Sequence, residues 1–256
     1  MIIKLLQLNI NADNYWDKQI HYITSHDFDI IHLQELTGKD TIVGNIHSRR
    51  NTFAELQKIL QDKYYGVLSI AQRYTSSSDA YMGNGIFYKN HYKLLAKKEL
   101  ILSKFAPFPS DSTAYENVGR TVLHLTFEIE NKQISCINTH AAWGGDHIEK
   151  PFQTKQGEML FDYLQTVTPP FVLSGDFNIT PDQPLIKKID TLTRNLITEH
   201  KITNTLDPKN HRAKQLFPKG LAVDYIFTSK DLEVKKFAVI DEDLSDHFGL
   251  TAEITI

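Results

Sequence analysis

The chain has 256 residues, 41% hydrophobic and 23% charged, and its 28 basic and 31 acidic side chains leave a formal charge of -3. That composition excludes disordered and fibrous classes and gives no global attraction to polyanions, while leaving room for a local basic patch. A chain of this length buries a sizeable core without cross-links.

The first segment, MIIKLLQLNI, is a short apolar run broken by Gln7 and Asn9. It lacks the basic leader, long apolar block and small-residue cleavage site of a secretory signal, so it reads as a first buried strand. No segment has the apolar length of a membrane span. Further strands are expected at Ile30 to Leu33, Gly85 to Tyr88, Val122 to Ile129, Ile134 to Asn138, Phe171 to Ser174, Asp224 to Thr228 and Leu250 to Ile256. Helical periodicity appears on three faces. They are Trp16, Ile20 and Ile23; Phe53, Leu56, Ile59 and Leu60, after a cap at Asn51 or Thr52; and Phe152, Gln156, Met159, Leu160, Tyr163 and Leu164. The sole cysteine, Cys136, lies in the apolar run of the fifth strand and reads as a buried thiol in a reducing compartment. A cytoplasmic location and a monomer are expected.

Strands and helices alternate without a linker-like break. The expectation is one α/β domain over residues 1–256, many-stranded, with helices covering the sheets. Four stretches read as irregular: Ser69 to Asn84, Ser103 to Gly119, His140 to Lys150 and Asn204 to Leu221. Binding groups concentrate on such loops.

Six signatures place polar residues directly after an apolar strand. They are LLQLNI with Asn9, IIHLQEL with Glu35, SCINTH with Asn138 and His140, FVLSGDFNIT with Asp176 and Asn178, LAVDYIF with Asp224, and LSDHFGL with Asp246 and His247. Each alone reads equally as a solvated strand end. Together they would converge at one rim of a sheet pair, where hard oxygen ligands suit Mg²⁺ or Mn²⁺. With one cysteine and no closely spaced Cys/His set, a structural zinc site is not expected.

The order NI, QE, NTH, GDFN, DYIF, SDH resembles the endonuclease/exonuclease/phosphatase superfamily from Asn9 to His247. The resemblance implies a four-layer α/β/β/α sandwich of two packed mixed β-sheets, and a metal-dependent hydrolase acting on phosphoric esters. It also implies roles. Glu35 would be the principal metal carboxylate, Asn9 its amide partner and Asp246 an aspartate on or beside the metal. Asp176 would be the general base, and Asn178 would hold water and phosphate. His247 would bind a phosphate oxygen, with Asp224 orienting it. His140, within INTH, resembles the phosphate-contacting histidine of the sphingomyelinase, 5-phosphatase, deadenylase and tyrosyl-DNA phosphodiesterase branches, a pattern that abasic-site endonucleases lack. Two segments depart from the family pattern: GNGIFYK ends in Tyr88 and Lys89, and Leu-Ala-Val precedes Asp224 without the frequent arginine.

Chemistry of this kind needs charge stabilisation and an aligned, deprotonated nucleophile. Asn178, two residues past Asp176, would return to the same side of an extended chain. Arg120, opening a strand, would reach the phosphate or lie on the surface. For substrate, the loop Asp207 to Gly220 gathers Lys209, His211, Arg212, Lys214 and Lys219 with Phe217, a mixture suited to single-stranded nucleic acid or DNA ends. The alternatives are a sphingomyelinase-like lipid phosphodiesterase, for which the aromatic stretch Phe105 to Phe108 could touch a membrane, an inositol phosphate phosphatase, and a non-catalytic binding module on the same scaffold.

Overall fold

Odd and even positions of β1 (Ile2–Asn9) part company: Ile3 and Leu5 join one apolar cluster, Leu6 and Leu8 another. The two-residue period of a strand produces that split when both faces are covered. The computed structural model describes residues 1–43, 46–74, 77–104, 115–168, 170–211, 214–215 and 217–256. Phe105 to Phe108 and Arg212 lie outside the described residues.

After β1 come α1 (Trp16–Ser25), β2 (Ile30–Thr37), the short pair β3 (Thr41–Val43) and β4 (Ile46–Ser48), and α2 (Thr52–Leu60). Next are β5 (Tyr64–Arg73), β6 (Tyr81–Lys89), β7 (Lys93–Ser103), β8 (Arg120–Ile129), β9 (Lys132–His140) and α3 (Pro151–Gln165). The remainder is β10 (Phe171–Asp176), α4 (Pro184–Asp190), β11 (Thr193–Asn195), α5 (Leu196–Glu199), β12 (Asp224–Ser229), β13 (Glu233–Ile240) and β14 (Gly249–Thr255). Asn51 is the cap of α2, its side chain accepting from the backbone N–H of Ala54 at 3.0 Å. Ile59, expected on the buried face, is 44% exposed, and Thr52 is buried in its place near the helix start.

Two six-stranded sheets form, in the orders β13-β14-β1-β2-β6-β5 and β11-β12-β10-β9-β8-β7. Position by position the orders match. Each has one parallel pair, β1 with β2 and β10 with β9, flanked by antiparallel neighbours. α1 and α2 pack their apolar residues on the outer face of the first sheet, and α3, α4 and α5 cover the second. The result is a four-layer α/β/β/α sandwich with two mixed sheets inside. Among the described residues, no helix is long and apolar enough to cross a membrane.

The matched topology positions the chemistry. Both strands of a parallel pair end at the same edge, and their antiparallel neighbours begin there. The C-terminal ends of β1, β2, β9 and β10 therefore share one rim with the starts of β8, β12 and β14.

The stretch Ser69 to Asn84, expected to be irregular, is mostly a hairpin: β5 runs to Arg73 and β6 begins at Tyr81. Its polar residues Ser69 and Asn84 are buried and face across the sandwich, where they bond Thr121, rather than marking a loop. β7 and β13 lack the apolar pattern of the inner strands because these edge strands are exposed or only half-buried along most of their length and carry lysines where a buried strand would carry apolar residues.

Candidate active site

In the second sheet Asp176 is paired in register with Asp224 on one side and His140 on the other. Residues level with one another on adjacent strands project to the same face. The row Asp224–Asp176–His140 thus points toward the first sheet. Gly175 permits this: its φ is +150°, and a Cβ there would lie 1.9 Å from the carbonyl oxygen of Thr139.

The first sheet answers with Asn9 and Glu35. Asn9 continues the odd positions of β1 and reaches across the gap. Glu35 sits in a bulge, where Leu33 to Leu36 of β2 span only Gly85 to Gly83 of β6. Its φ is +58°, a left-handed conformation that turns the side chain off the helix-covered face occupied by Leu33 and Leu36. The Asn9 amide nitrogen then donates to Asp176 Oδ2 at 3.0 Å and Glu35 Oε1 at 3.3 Å. Its oxygen accepts from the backbone N–H of Asn11 at 3.0 Å. Asn9 is therefore a crosspiece between the two carboxylates.

Asn178 departs from the extended chain expected after Asp176. β10 stops at Asp176, and Asn178 has φ +56°. Its backbone N–H donates to Asp176 Oδ1 at 2.8 Å, closing a tight side-chain turn. The turn still brings its amide to the site, 3.1 Å from His140 Nε2 and 3.0 Å from the carbonyl of Ala141.

Residues 205–207 hold the SDH segment. Asp207 N–H donates to the Asp246 carbonyl, Phe248 N–H to that of Thr205, and Leu206 forms a bridge with His247. This fixes His247 with Nδ1 2.9 Å from Asp224 Oδ2 and Nε2 3.8 Å from Asp176 Oδ2. Asp224 is itself clamped, accepting from Thr205 Oγ1 at 2.7 Å and Gln7 Nε2 at 3.1 Å. Arg120 is buried at the start of β8, near enough to Glu35 and Asp176 for their charges to act on it. The surface alternative for Arg120 is ruled out.

Below the rim runs a buried polar layer. Gln7 donates to Gln34 at 2.8 Å, Gln34 to Asn138 at 2.7 Å, and Asn138 to the carbonyls of Leu33 and Gly85. His32 Nδ1 lies 2.7 Å from Ser174 Oγ. Each such bond spares a buried polar group a penalty of about 1–3 kcal/mol. The layer locks the sheets together and fixes the height of the residues above it.

Burial dominates the electrostatics. It pushes the Asp176 carboxyl up, Asp224 adds to this, and His247 and the Asn9 bond oppose it. Burial would lower His247, but Asp224 and Asp176 more than offset it and hold the histidine well above its ordinary value. His140 goes the other way: burial, with Arg120 and His247 nearby, holds it neutral. The Glu35 carboxyl is pushed up by burial and then by Asp246, with His247, Asn9 and Arg120 opposing.

Glu35 and Asp246 offer carboxylate oxygens, and the charge of Asp246 makes that of Glu35 costlier. A divalent cation between them would relieve both burial and repulsion, and the oxygen chemistry fits Mg²⁺ or Mn²⁺. The donor set present is therefore compatible with the expected ion.

Several residues at the site carried no sequence signal. Tyr74, just past β5, is buried enough to have its hydroxyl pKa raised, with Arg120 lowering it and Glu35 raising it further. Thr205 clamps Asp224, as above. A chain of rings leads outward: Tyr115 and Trp143 have centroids 4.9 Å apart, Trp143 and His147 6.2 Å, and His147 and Phe217 5.0 Å. Lys209, Lys214 and Lys219 are exposed on the loop that carries Phe217.

The comparisons bear on the fold and the family. By sequence, no curated protein matches the chain. Solved structures match over nearly its whole length. An endonuclease/exonuclease/phosphatase from Bacteroides vulgatus has TM-score 0.74 and 19% identity, covering 100% of this chain and 99% of that one. The mannosyl-6-phosphatase of Bacteroides thetaiotaomicron has TM-score 0.72 and 17% identity, covering 99% and 100%. D. rerio TDP2, in complex with a single-strand DNA product, has TM-score 0.71 and 13% identity, covering 100% and 99%. At such identities the likeness is one of fold. The sequence model of the Endonuclease/Exonuclease/phosphatase family, whose members are generally hydrolases of phosphoester bonds, matches residues 6–247, a span that holds every residue of the rim described above. The chain belongs to that family.

Proposed function

We propose that this chain is a Mg²⁺-dependent phosphoesterase that hydrolyses a phosphodiester in nucleic acid, acting on single strands or DNA ends through in-line attack of water. The observation that carries the reading is the setting of Asp176. Its carboxylate is buried, 3.0 Å from Asn9, 3.4 Å from His140 and 3.8 Å from His247, with its second oxygen on the Asn178 N–H. A carboxylate so oriented, and made more basic by burial, suits the removal of a proton from attacking water. Asn178 hydrogen-bonds the water or a phosphoryl oxygen without adding negative charge.

His247, held cationic by Asp224, and Arg120 meet the negative charge that builds on the phosphoryl group. Neutral His140 stands on the opposite side of Asp176, its Nε2 accepting from the Asn178 amide and so orienting that side chain. Glu35 and Asp246 would hold a divalent cation, which would supply further neutralisation of the phosphoryl oxygens. Asn9 keeps Glu35 and Asp176 at a fixed separation, which aligns the water with the phosphorus.

Support for nucleic acid comes from the partly exposed rings of Tyr115, Trp143 and Phe217 and from the exposed Lys209, Lys214 and Lys219 on the loop that carries Phe217. Rings stack on bases for about 1–3 kcal/mol each, while lysines follow the backbone. The fold's likeness to TDP2, solved with a single-strand DNA product, points the same way.

The test is a panel of single-stranded DNA, duplex DNA, RNA, sphingomyelin, inositol phosphates and phosphorylated sugars, with Mg²⁺ or Mn²⁺. Oligonucleotide cleavage is expected. It should fall by roughly 10²- to 10⁴-fold in Asp176→Asn. Charge reversal at the three lysines should weaken oligonucleotide binding and flatten its salt dependence. Release of phosphate from sugars or inositols alone would remove the nucleic-acid assignment, and unaltered turnover in D176N would remove the base.

A further inference from the structure

Donor atoms of His211, Asp246 and His247 all lie within 4.8 Å of one another. We propose that these three residues form a zinc site, distinct from the oxygen site of Glu35 and Asp246 but sharing Asp246 with it, and that filling it switches the enzyme off.

The donor chemistry comes first. Two imidazoles and one carboxylate suit a borderline-soft ion such as Zn²⁺, whereas Mg²⁺ favours oxygen alone. His247 is also arranged as a zinc ligand would be. Its Nδ1 faces Asp224 Oδ2 at 2.9 Å, which keeps the Nδ1 proton in place and leaves Nε2 to bind metal in exchange for the second proton, released to solvent. Asp224 is in turn held by Thr205 and Gln7, so the ring has little freedom to turn away.

The loop delivers the third ligand. His211 N–H donates to the carbonyl of Asp207 at 2.8 Å, and Asp207 N–H donates to the carbonyl of Asp246 at 2.9 Å. The His211 backbone is thus tied, through one residue, to the segment carrying the other two ligands. The rings of His211 and His247 lie edge to face with centroids 5.6 Å apart. Zinc bonds of about 2.0–2.2 Å put tetrahedral donors roughly 3.4 Å apart, so side-chain rotations close the site without moving the backbone. The fourth position stays open to water or a phosphate oxygen.

Inhibition follows because the proposed hydrolysis uses Asp246 and His247, and this part of the inference rests on that reading. Zinc bound with His211 withdraws the cationic histidine and one of the two carboxylates of the Mg²⁺ site together.

The test titrates Zn²⁺ into the full chain with Mg²⁺ present. Zinc uptake is followed by competition with a chromophoric chelator, and oligonucleotide hydrolysis is followed in parallel. One tightly bound equivalent is expected, with hydrolysis lost over the same titration. His211→Asn and His211→Gln, each compared with its own zinc-free rate, should weaken zinc binding and raise the half-inhibiting concentration by at least about tenfold. Unchanged zinc affinity in both variants would overturn the site. Zinc bound through His211 without loss of hydrolysis would overturn the switch. If no substrate is cleaved, the chelator competition still decides the site, and the failure falls on the hydrolytic reading.

Discussion

Oδ2 of Asp224 lies 2.9 Å from Nδ1 of His247, and this contact does most to keep the histidine charged against the cost of burial. Asp224→Asn preserves shape and removes the charge. The expected result is a drop in kcat of roughly 10²- to 10⁴-fold with a smaller change in KM, since a cation matters most as charge develops. Steady-state kinetics on the preferred oligonucleotide will show it. A rise in KM with kcat unchanged would assign Asp224 to ground-state binding instead.

Glu35 offers a test of the cation. Burial and Asp246 oppose its charge, so in the free protein the ionised carboxylate is a burden and the bound ion a relief. Adding Mg²⁺ or Mn²⁺ should raise the thermal midpoint of the wild type. Glu35→Gln should remove that rise while leaving the metal-free protein at least as stable. A variant that still responds to the ion would move the site elsewhere.

Gly175→Ala places a methyl group 1.9 Å from the Thr139 carbonyl oxygen and in a backbone region hostile to side chains. β10 must then move away from β9, carrying Asp176 with it. The expected cost exceeds about 3 kcal/mol in urea unfolding. Activity should be lost even where the fold survives at low temperature.

His32 lies wholly buried in the polar layer, and burial lowers its pKa from 6.5 to about 3. Between those values the unfolded chain binds a proton that the folded chain refuses. Stability from this group is therefore full above pH 6.5 and declines as pH falls toward 3, by about 1.4 kcal/mol per unit at most. His32→Gln does not titrate there. Urea midpoints of the two proteins should diverge as pH is lowered from 7 to 5, with the wild type falling faster; parallel curves would contradict the assignment.

The rim was legible because its residues abut apolar strands, although not all of them follow one. Asn9, Glu35, His140 and Asp176 lie at or near the ends of β1, β2, β9 and β10, whereas Asp224 opens β12 and Asp246 and His247 precede β14. Gln7 and Asn9 looked like interruptions of an apolar run. They are its inward positions, one in the buried layer and one at the rim. What could not be read depends on backbone detours and distant loops. The bulge that turns Glu35, the left-handed turn at Asn178 and the clamp of Thr205 on Asp224 leave no periodic trace. Nor does Tyr74, whose proximity to Glu35 and Arg120 arises only when the two sheets close.

β14 inserts between β1 and β13, pairing Ile2 with Thr255 and Gln7 with Leu250. His247 and Asp246 stand just ahead of that strand, while Asn9 and Glu35 lie in β1 and β2. The first sheet is therefore split until β14 slots in beside β1. The centre is whole only once that pairing of sequence-distant strands is made, a non-local closure of the kind that slows folding.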